Sequence, residues 1–472
     1  MRHNSVPLSL ESRMPASIAR RLTVLILGWV GATGVMLAQD NNGAAPSAPA
    51  PSSQGGLQIR SASVYAVYYS NFLPNGAVTG TSTNLPADLG LGGNVVFDWT
   101  KFTERSSFSL TYTPSYTGYV RNSSLNALNH ALSLTASRKI APQWTFGFSA
   151  AGSLSSLEES LFTPSALSNV ASVPSTFNDL ASGLLSGSFA NNPQLGAVLT
   201  SSPLVQSPIS NLLYGQRMFT TSAHVSLSYS YSPRLSVTFS GGGARTQHVD
   251  DQALGAGNTP LIPDTTSGNA SVNISYSLSA RTQIGGTVTS SRTSSSIYDG
   301  YTTSSLATLG RTFGERWVVQ LHGGVGFTNA LRDSLALAVP AKPGPVIGGS
   351  LAYKTLSHTF LGSFDRGVSD SYGVGASTNS SANATWQWRH PGSSWWLTSS
   401  FGWQQLQGNA LANTSGWNTT VALNRAIGAH FVLHTQYVHL VYSGGLQAAP
   451  YHISQDAVRA TMEWTHHPAT LQ

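Results

Sequence analysis

His248, Asp250 and Asp251 form a close group of residue types that can perform acid–base chemistry. A histidine beside a carboxylate can take a proton from a water molecule, which is the chemistry that a hydrolase needs. The group follows the end of an alternating segment, so it is expected at the rim of the fold. Carboxylates at such ends are usually solvated, and we expect the same of three further acids, Asp299, Asp333 and Asp370.

Spacing and composition exclude several other kinds of site. The chain has no cysteine, which excludes a disulfide framework and cysteine-ligated zinc. No G-x-S-x-G segment, the strand-to-helix turn that carries a nucleophilic serine, occurs in it. His430 and His434 share a face of an extended segment, but four residues span about 13 Å there, too far to share a metal. The sequence therefore predicts no enzyme, metal or cofactor.

A second group of polar side chains could line a water-filled passage. Each member lies among serine, threonine and asparagine on the polar side of an alternating segment. Their charges are of both signs, so they form no ring that would select strongly for one kind of ion. These lumen-lining candidates are Asp98, Gln320, His322, Arg389, Arg459 and Glu463.

In the segments that must position these side chains, apolar and polar residues alternate with a period of two. In 219–231, apolar or aromatic residues occupy most odd positions, while serine, threonine or histidine occupies every even one. Successive side chains of a strand point to opposite faces, so such a segment has one apolar and one polar face. The same alternation recurs at 89–99, 108–116, 272–279, 417–424 and 458–464.

Charge is scarce throughout: 9% of the residues are charged, against about 25% in an ordinary soluble domain. The net charge is +6 without a block of lysine or arginine, so nucleic-acid binding is not expected. A soluble sandwich usually covers its polar faces with lysine and glutamate. A transmembrane barrel turns its apolar faces to lipid, where an arginine or lysine costs about 2–4 kcal/mol. The composition favours the barrel.

The first 56 residues predict export from the cytoplasm. Arg20 and Arg21 precede an apolar run that ends at Ala38, the layout of a secretory signal peptide at 1–38. Residues 39–56 then form a linker rich in alanine, proline and serine, which we expect in the periplasm.

Connection lengths predict an up-and-down topology with about 18 strands (16–18), short turns at one end and longer loops at the other. Short connections are expected at 101–105, 232–234, 280–281, 314–316, 390–393 and 427–429, and longer ones at 71–86, 247–267, 329–344 and 443–451. Aromatic girdles are expected at the strand ends, from Tyr68, Tyr69, Trp99, Trp144, Trp317, Trp386, Trp388, Trp395, Trp396, Tyr442 and Trp464.

The segment 154–216 interrupts this pattern with some sixty residues that do not alternate. Two stretches in it, 155–162 and 176–185, read as short helices. Its apolar residues need burial, so the segment either enters the lumen as a constriction or plug or caps the barrel from outside. Its acids are the constriction candidates, Glu158, Glu159 and Asp179.

From Leu57 to Trp464 the chain resembles the porin-like bacterial outer-membrane β-barrel superfamily. The resemblance is architectural, and it includes an aromatic residue, Trp464, in the final alternating segment, where such barrels carry the signal for their assembly machinery. The tail 465–472 departs from relatives in which the aromatic residue comes last. The resemblance implies an all-β transmembrane antiparallel barrel in the outer membrane. Its expected partners are membrane lipid, the assembly machinery and small polar solutes.

The favoured function is a porin-like channel for the passive passage of small polar solutes. The alternative is a structural or export-associated barrel that works with periplasmic or surface-polymer machinery. A hydrolase at the rim ranks third.

Overall fold

The computed structural model describes residues 56–70, 87–121, 123, 126–156, 217–249, 264–296, 298–333, 343–370, 376–407, 413–446 and 449–466. These residues fall within one compact unit, Ser53–Gln472. Among them, no helix has the length and apolar character needed to cross a membrane.

Eighteen strands of 11–17 residues make up the described part of the chain. They are β1 Gly56–Tyr69, β2 Asp88–Phe102, β3 Ser106–Tyr119, β4 Ala127–Ala141, β5 Trp144–Ser156, β6 Arg217–Ser230, β7 Leu235–His248, β8 Thr265–Ser279, β9 Thr282–Ser295, β10 Tyr298–Phe313, β11 Trp317–Asp333, β12 Gly344–Lys354, β13 His358–Asp370, β14 Ala376–Arg389, β15 Trp395–Gln407, β16 Asn413–Ile427, β17 Phe431–Leu446 and β18 Ala449–Thr465.

The strands form one closed antiparallel sheet in which each strand pairs with its neighbours in the chain. The first and last strands close it, with β1 paired to β18 from Ser61 opposite Thr465 to Tyr69 opposite Ala457. Closure leaves no free edge of unpaired backbone groups, which a bilayer does not tolerate. The predicted fold class, an all-β antiparallel up-and-down barrel of about 18 strands, is confirmed.

The two faces of the sheet carry the chemistry that the alternation predicts. On β8, Val272, Ile274 and Tyr276 are 37%, 48% and 39% exposed, although they are apolar or aromatic. The residues between them pair across the inner face, where Asn273 donates a hydrogen bond to Thr287 on β9. The apolar side chains of β8 thus point outward and its polar side chains point inward.

The aromatic residues at strand ends do not all belong to outer girdles. Trp99, Trp317 and Trp395 are outward and 37–42% exposed, as a girdle requires. Tyr69 and Trp396 face inward instead, and assigning them to a girdle was wrong. The reason is parity: Trp395 and Trp396 are consecutive, so they must point to opposite faces of the strand.

Short turns close one end of the barrel at every predicted position. Three of these turns contain a glycine with positive φ, Gly314 (61°), Gly392 (76°) and Gly428 (65°), a conformation that other residues rarely adopt. We call this the turn end and the opposite end the loop end. The predicted long connection at 443–451 is wrong, because β17 and β18 extend to Leu446 and from Ala449. Gly444, Gly445 and Pro450 lie in these strands, and both residue types are tolerated at strand ends.

Several predictions fall outside the described residues. The predicted signal peptide, the linker up to residue 55 and the end of the tail (467–472) lie there, and so do the constriction candidates Glu158, Glu159 and Asp179. The first two residues of the predicted helix at 155–162 belong to β5, which continues to Ser156.

A charge on the outer face tests which side of the sheet meets lipid. Val288 is outward, 51% exposed and six residues from the turn end of β9. Val288→Arg is expected to lower the free energy of unfolding in vesicles by about 2–4 kcal/mol. Its inward neighbour provides the matched control, because Thr289→Arg should cost much less. Urea titration in lipid vesicles measures both, and equal costs would contradict the assignment of the faces.

Candidate functional site

Hydroxyl and amide side chains connect neighbouring strands along the inner wall. Ser63 donates to Asn94 at 2.6 Å, and Ser236 and Ser275 share a hydrogen bond of 2.7 Å. Further contacts of this kind are Ser228–Thr238 at 3.0 Å, Ser240–Ser271 at 2.5 Å and Asn273–Thr287 at 2.7 Å. The wall therefore satisfies much of its own polarity while it stays a polar surface.

Four strands contribute to one polar and aromatic row on this wall, near the turn end. Arg389 on β14 lies opposite Trp396 on β15, Trp396 opposite Asn424 on β16, and Asn424 opposite His434 on β17. The guanidinium carbon of Arg389 lies 5.3 Å from the centre of the Trp396 ring, within the range of a cation–π interaction. Asn424 donates to the carbonyl of Trp396 at 3.4 Å. We name this set the Trp396 row.

An ion pair extends the Trp396 row onto β18. His434 contacts Asn424 Oδ1 through Nδ1 at 2.7 Å and Glu463 Oε2 through Nε2 at 3.1 Å. Both side chains of the pair are 31% exposed. The histidine ring also meets the Trp396 ring edge-on, with 6.4 Å between ring centres. Glu463 and Arg389, which are far apart in sequence, therefore belong to one continuous surface.

A second histidine–carboxylate pair spans three strands of the inner wall. His322 on β11 and Asp365 on β13 are 3.1 Å apart, and Gly348 lies opposite both on the intervening β12. A Cβ atom at Gly348 would come within 2.5 Å of His322 Nε2 and of Asp365 Oδ1. The missing side chain at this position is what lets the pair meet. Gln320 lies two residues from His322 on the same face and is partly exposed.

Asp98 and Arg459 lie on the inner face near the closing strands. Asp98 is 9% exposed and accepts a hydrogen bond of 2.8 Å from Thr111. Arg459 stacks over Tyr65, with 3.8 Å between its guanidinium carbon and the ring centre. The structure thus places all six lumen-lining candidates on the polar face, and it brings only Arg389 and Glu463 into one group.

Sequence reasoning missed the partners that give these residues their surroundings. Trp396, Asn424, His434, Asp365 and Tyr65 were not among the candidates. Parity alone could have placed Trp396 inward, since its neighbour Trp395 was expected in the girdle. The other partners depend on the pairing register of strands, which alternation does not encode.

Charges of both signs occur on the inner face. Inward positions of the strands hold both acids and bases. The acids are Asp98, Asp365 and Glu463, and the bases are Lys354, Arg389 and Arg459. This mixture favours the passage of polar solutes over strong selection for cations or anions.

The structure describes only some of the residues on which the hydrolase hypothesis rests. Asp299 is held by Arg292 through two hydrogen bonds of 2.8 and 3.0 Å, so its carboxylate is occupied by an ion pair. Asp333 and Asp370 are the last residues of β11 and β13, while Asp250 and Asp251 lie outside the described residues. Across the described strands and turns, no three histidine or acidic side chains cluster as metal ligands would.

Comparisons with known proteins show likeness in structure only. No known protein family and no curated protein matches the sequence. The outer-membrane protein OpdK of Pseudomonas aeruginosa, solved with vanillate, is 10% identical, with 86% of this chain and 97% of that chain covered and a TM-score of 0.42. A BenF-like porin from Pseudomonas fluorescens is 9% identical, with 87% of this chain and 98% of that chain covered and a TM-score of 0.42. The siderophore receptor PirA of P. aeruginosa is 10% identical, with 86% of this chain and 80% of that chain covered and a TM-score of 0.37. Likeness of this degree carries no argument about function.

The role of Gly348 can be tested with a double-mutant cycle. Gly348→Ala should cost about 1–3 kcal/mol of folding free energy, because the new methyl group forces His322 and Asp365 apart. Gly286→Ala is the control, since its Cβ would meet nothing closer than 3.6 Å. In an Asp365→Ala background the cost of Gly348→Ala should shrink. A cost that is the same in both backgrounds would show that Gly348 does not serve the pair.

Proposed function

We propose that this protein is an outer-membrane channel for the passive passage of small polar solutes. One observation carries the proposal: a closed barrel of 18 strands has a wall of hydroxyl, amide and paired ionic groups on the inside. Barrels of 16–18 strands are wide enough to leave an aqueous channel.

The outer surface supports a membrane location. Large apolar side chains are exposed around the barrel, for example Leu91 (55%), Leu321 (52%) and Phe401 (45%). A soluble protein rarely exposes such a continuous apolar surface, whereas a barrel in lipid requires one. With the predicted signal peptide, this surface favours the outer membrane of a bacterium, reached through the barrel-assembly machinery.

The Trp396 row suggests how a solute could interact with the wall. An aromatic ring flanked by Arg389, Asn424 and His434 offers a flat apolar surface beside several hydrogen-bonding groups. Sugar-like and other small polar solutes present the complementary mixture of C–H faces and hydroxyl groups. We therefore expect weak and transient contacts here during passage.

A structural or export-associated barrel is the second candidate, because such a barrel would have the same lipid-facing exterior. Its partners would be periplasmic or surface-polymer machinery, reached through the linker at 39–56. Conductance separates the two functions. Purified full-length protein in planar lipid bilayers should give discrete conductance steps if it is a channel, and absence of steps from correctly folded protein would contradict the proposal.

Two variants of the Trp396 row should change ion preference in opposite directions. Glu463→Gln removes a negative charge from the wall and should shift the reversal potential in a salt gradient toward anion preference. Arg389→Gln removes a positive charge and should shift it toward cations. The change in permeability ratio is expected to be on the order of twofold in each case, since no charged ring surrounds the pore.

Reversal potentials of single channels under a salt gradient measure both shifts. Arg366→Gln is the control, because this arginine lies on the outer face of β13, two residues from the exposed Phe364. Shifts of the same sign in both variants, or no shift in either, would contradict the position of the Trp396 row on the conducting wall.

A further inference from the structure

Three side-chain oxygens on the inner wall are buried without a hydrogen-bond partner in the part of the chain that the structure describes. They are Asn383 Oδ1 on β14, Gln404 Oε1 on β15 and Asn418 Oδ1 on β16. Gln404 is 8% exposed and Asn418 is 5% exposed. A buried acceptor without a partner destabilises a fold, so three of them on adjacent strands need a physical reason.

The strand register places the three oxygens around one gap between side chains. Asn383 lies opposite Gly402, and Gly402 lies opposite Asn418, so a residue without a side chain separates the two asparagines. Gln404 is two residues from Gly402 on the same face, and it lies opposite a second glycine, Gly416. The Cα atoms of the asparagines are therefore about 10 Å apart, two strand spacings, and that of Gln404 is about 8 Å from each. All three side chains can reach one ion above Gly402.

A hydrogen bond orients the amide of Gln404. Its Nε2 donates to Asn379 Oδ1 on β14 at 3.3 Å. This bond fixes which arm of the amide is the oxygen, because a reversed amide would place two acceptors together. Asn379 lies four residues nearer the loop end than Asn383. The oxygen of Gln404 is thus left on the arm that does not contact Asn379.

Buried hydroxyl and apolar side chains surround the gap. Thr385, Ser400 and Thr420 form the next inward row toward the turn end, and they are 6–7% exposed. Leu406 on β15 and Leu440 on β17, both 7% exposed, flank the gap on two other sides. The hydroxyl groups add oxygen atoms, while the leucines keep water away and so strengthen electrostatic contacts at the gap.

The charges on the surrounding strands allow a cation to bind. Among the described residues of β13 to β17, the only inward arginine or lysine is Arg389, six residues or about 20 Å along β14 from Asn383. The only inward acid, Asp365, is two strands from Gln404 in the same row. It is held by His322 at 3.1 Å. The gap is therefore lined by neutral oxygens, with no positive group on these strands close enough to repel an ion.

We propose that the three amide oxygens bind an alkali-metal ion between β14, β15 and β16, and we name Asn383, Gln404 and Asn418 the amide site. Carbonyl oxygens can replace the water shell of such an ion, and the neighbouring hydroxyl groups complete its coordination. A divalent ion fits less well, because calcium sites use carboxylates and the amide site has none. The ion satisfies three buried acceptors at once and ties three strands together.

Rubidium is the probe for the position of the ion, because it substitutes for potassium and scatters X-rays anomalously. Crystals of the full-length protein grown in rubidium chloride should show an anomalous peak in contact with Asn383 Oδ1, Gln404 Oε1 and Asn418 Oδ1. Water alone at this point would overturn the inference.

Thermal unfolding in a neutral detergent measures what the ion contributes. The native protein should unfold at a higher temperature in sodium or potassium chloride than in N-methylglucamine chloride of equal ionic strength. Above the Kd of the ion, each tenfold increase in its concentration should raise the midpoint by about 2 °C. Identical midpoints in all three salts would contradict the proposal.

Asn418→Leu sharpens the test, because it keeps the size of the side chain and removes the oxygen. In N-methylglucamine chloride the variant should be at least as stable as the native protein, since a buried acceptor without a partner is gone. In the alkali salts it should lose the rise in midpoint. Asn418→Asp should instead bind the ion on the order of tenfold more tightly and admit calcium, because it adds a carboxylate.

Asn273→Leu is the matched control. Its amide lies on the same inner face but already donates to Thr287 at 2.7 Å. This variant should lose the same stability in every salt and keep the native dependence on the alkali ion. An ion effect that survives Asn418→Leu would place the ion elsewhere and overturn the inference. Neither outcome depends on conduction, so a failure of the amide site is distinguishable from a failure of the channel proposal.

Discussion

The pairing of β1 with β18 is the interaction on which the rest of the structure depends. It joins the two ends of the described chain through nine consecutive residue pairs, from Ser61–Thr465 to Tyr69–Ala457. Without it the sheet would have two open edges, and each unpaired backbone group in hydrocarbon costs several kcal/mol. Once the sheet is closed, the alternation of each strand assigns every side chain either to lipid or to the interior.

The alternating pattern made the fold predictable, because parity is a local property. Val272, Ile274 and Tyr276 could be assigned to one face from the sequence alone, and the shortage of charge identified that face as the lipid side. The connections were less predictable: a loop was expected at 443–451, where the strands continue through Gly444, Gly445 and Pro450.

The surroundings of the functional residues were not predictable, because they depend on the register between strands. Arg389 and Glu463 are 74 positions apart in the sequence, yet Trp396, Asn424 and His434 link them into one surface. The pair His322–Asp365 depends on the absence of a side chain at Gly348. Inside, such groups suit contact with passing polar solutes.

Labelling of single cysteines along β8 tests the central claim most directly, and the absence of native cysteine leaves no background. The protein is reconstituted in lipid vesicles and treated with a charged, water-soluble thiol reagent. Ser271→Cys, Asn273→Cys and Ser275→Cys should react, because these positions face water inside the barrel. Val272→Cys, Ile274→Cys and Tyr276→Cys should stay unreactive in lipid. Equal labelling of the two sets, or labelling of the second set alone, would contradict the account.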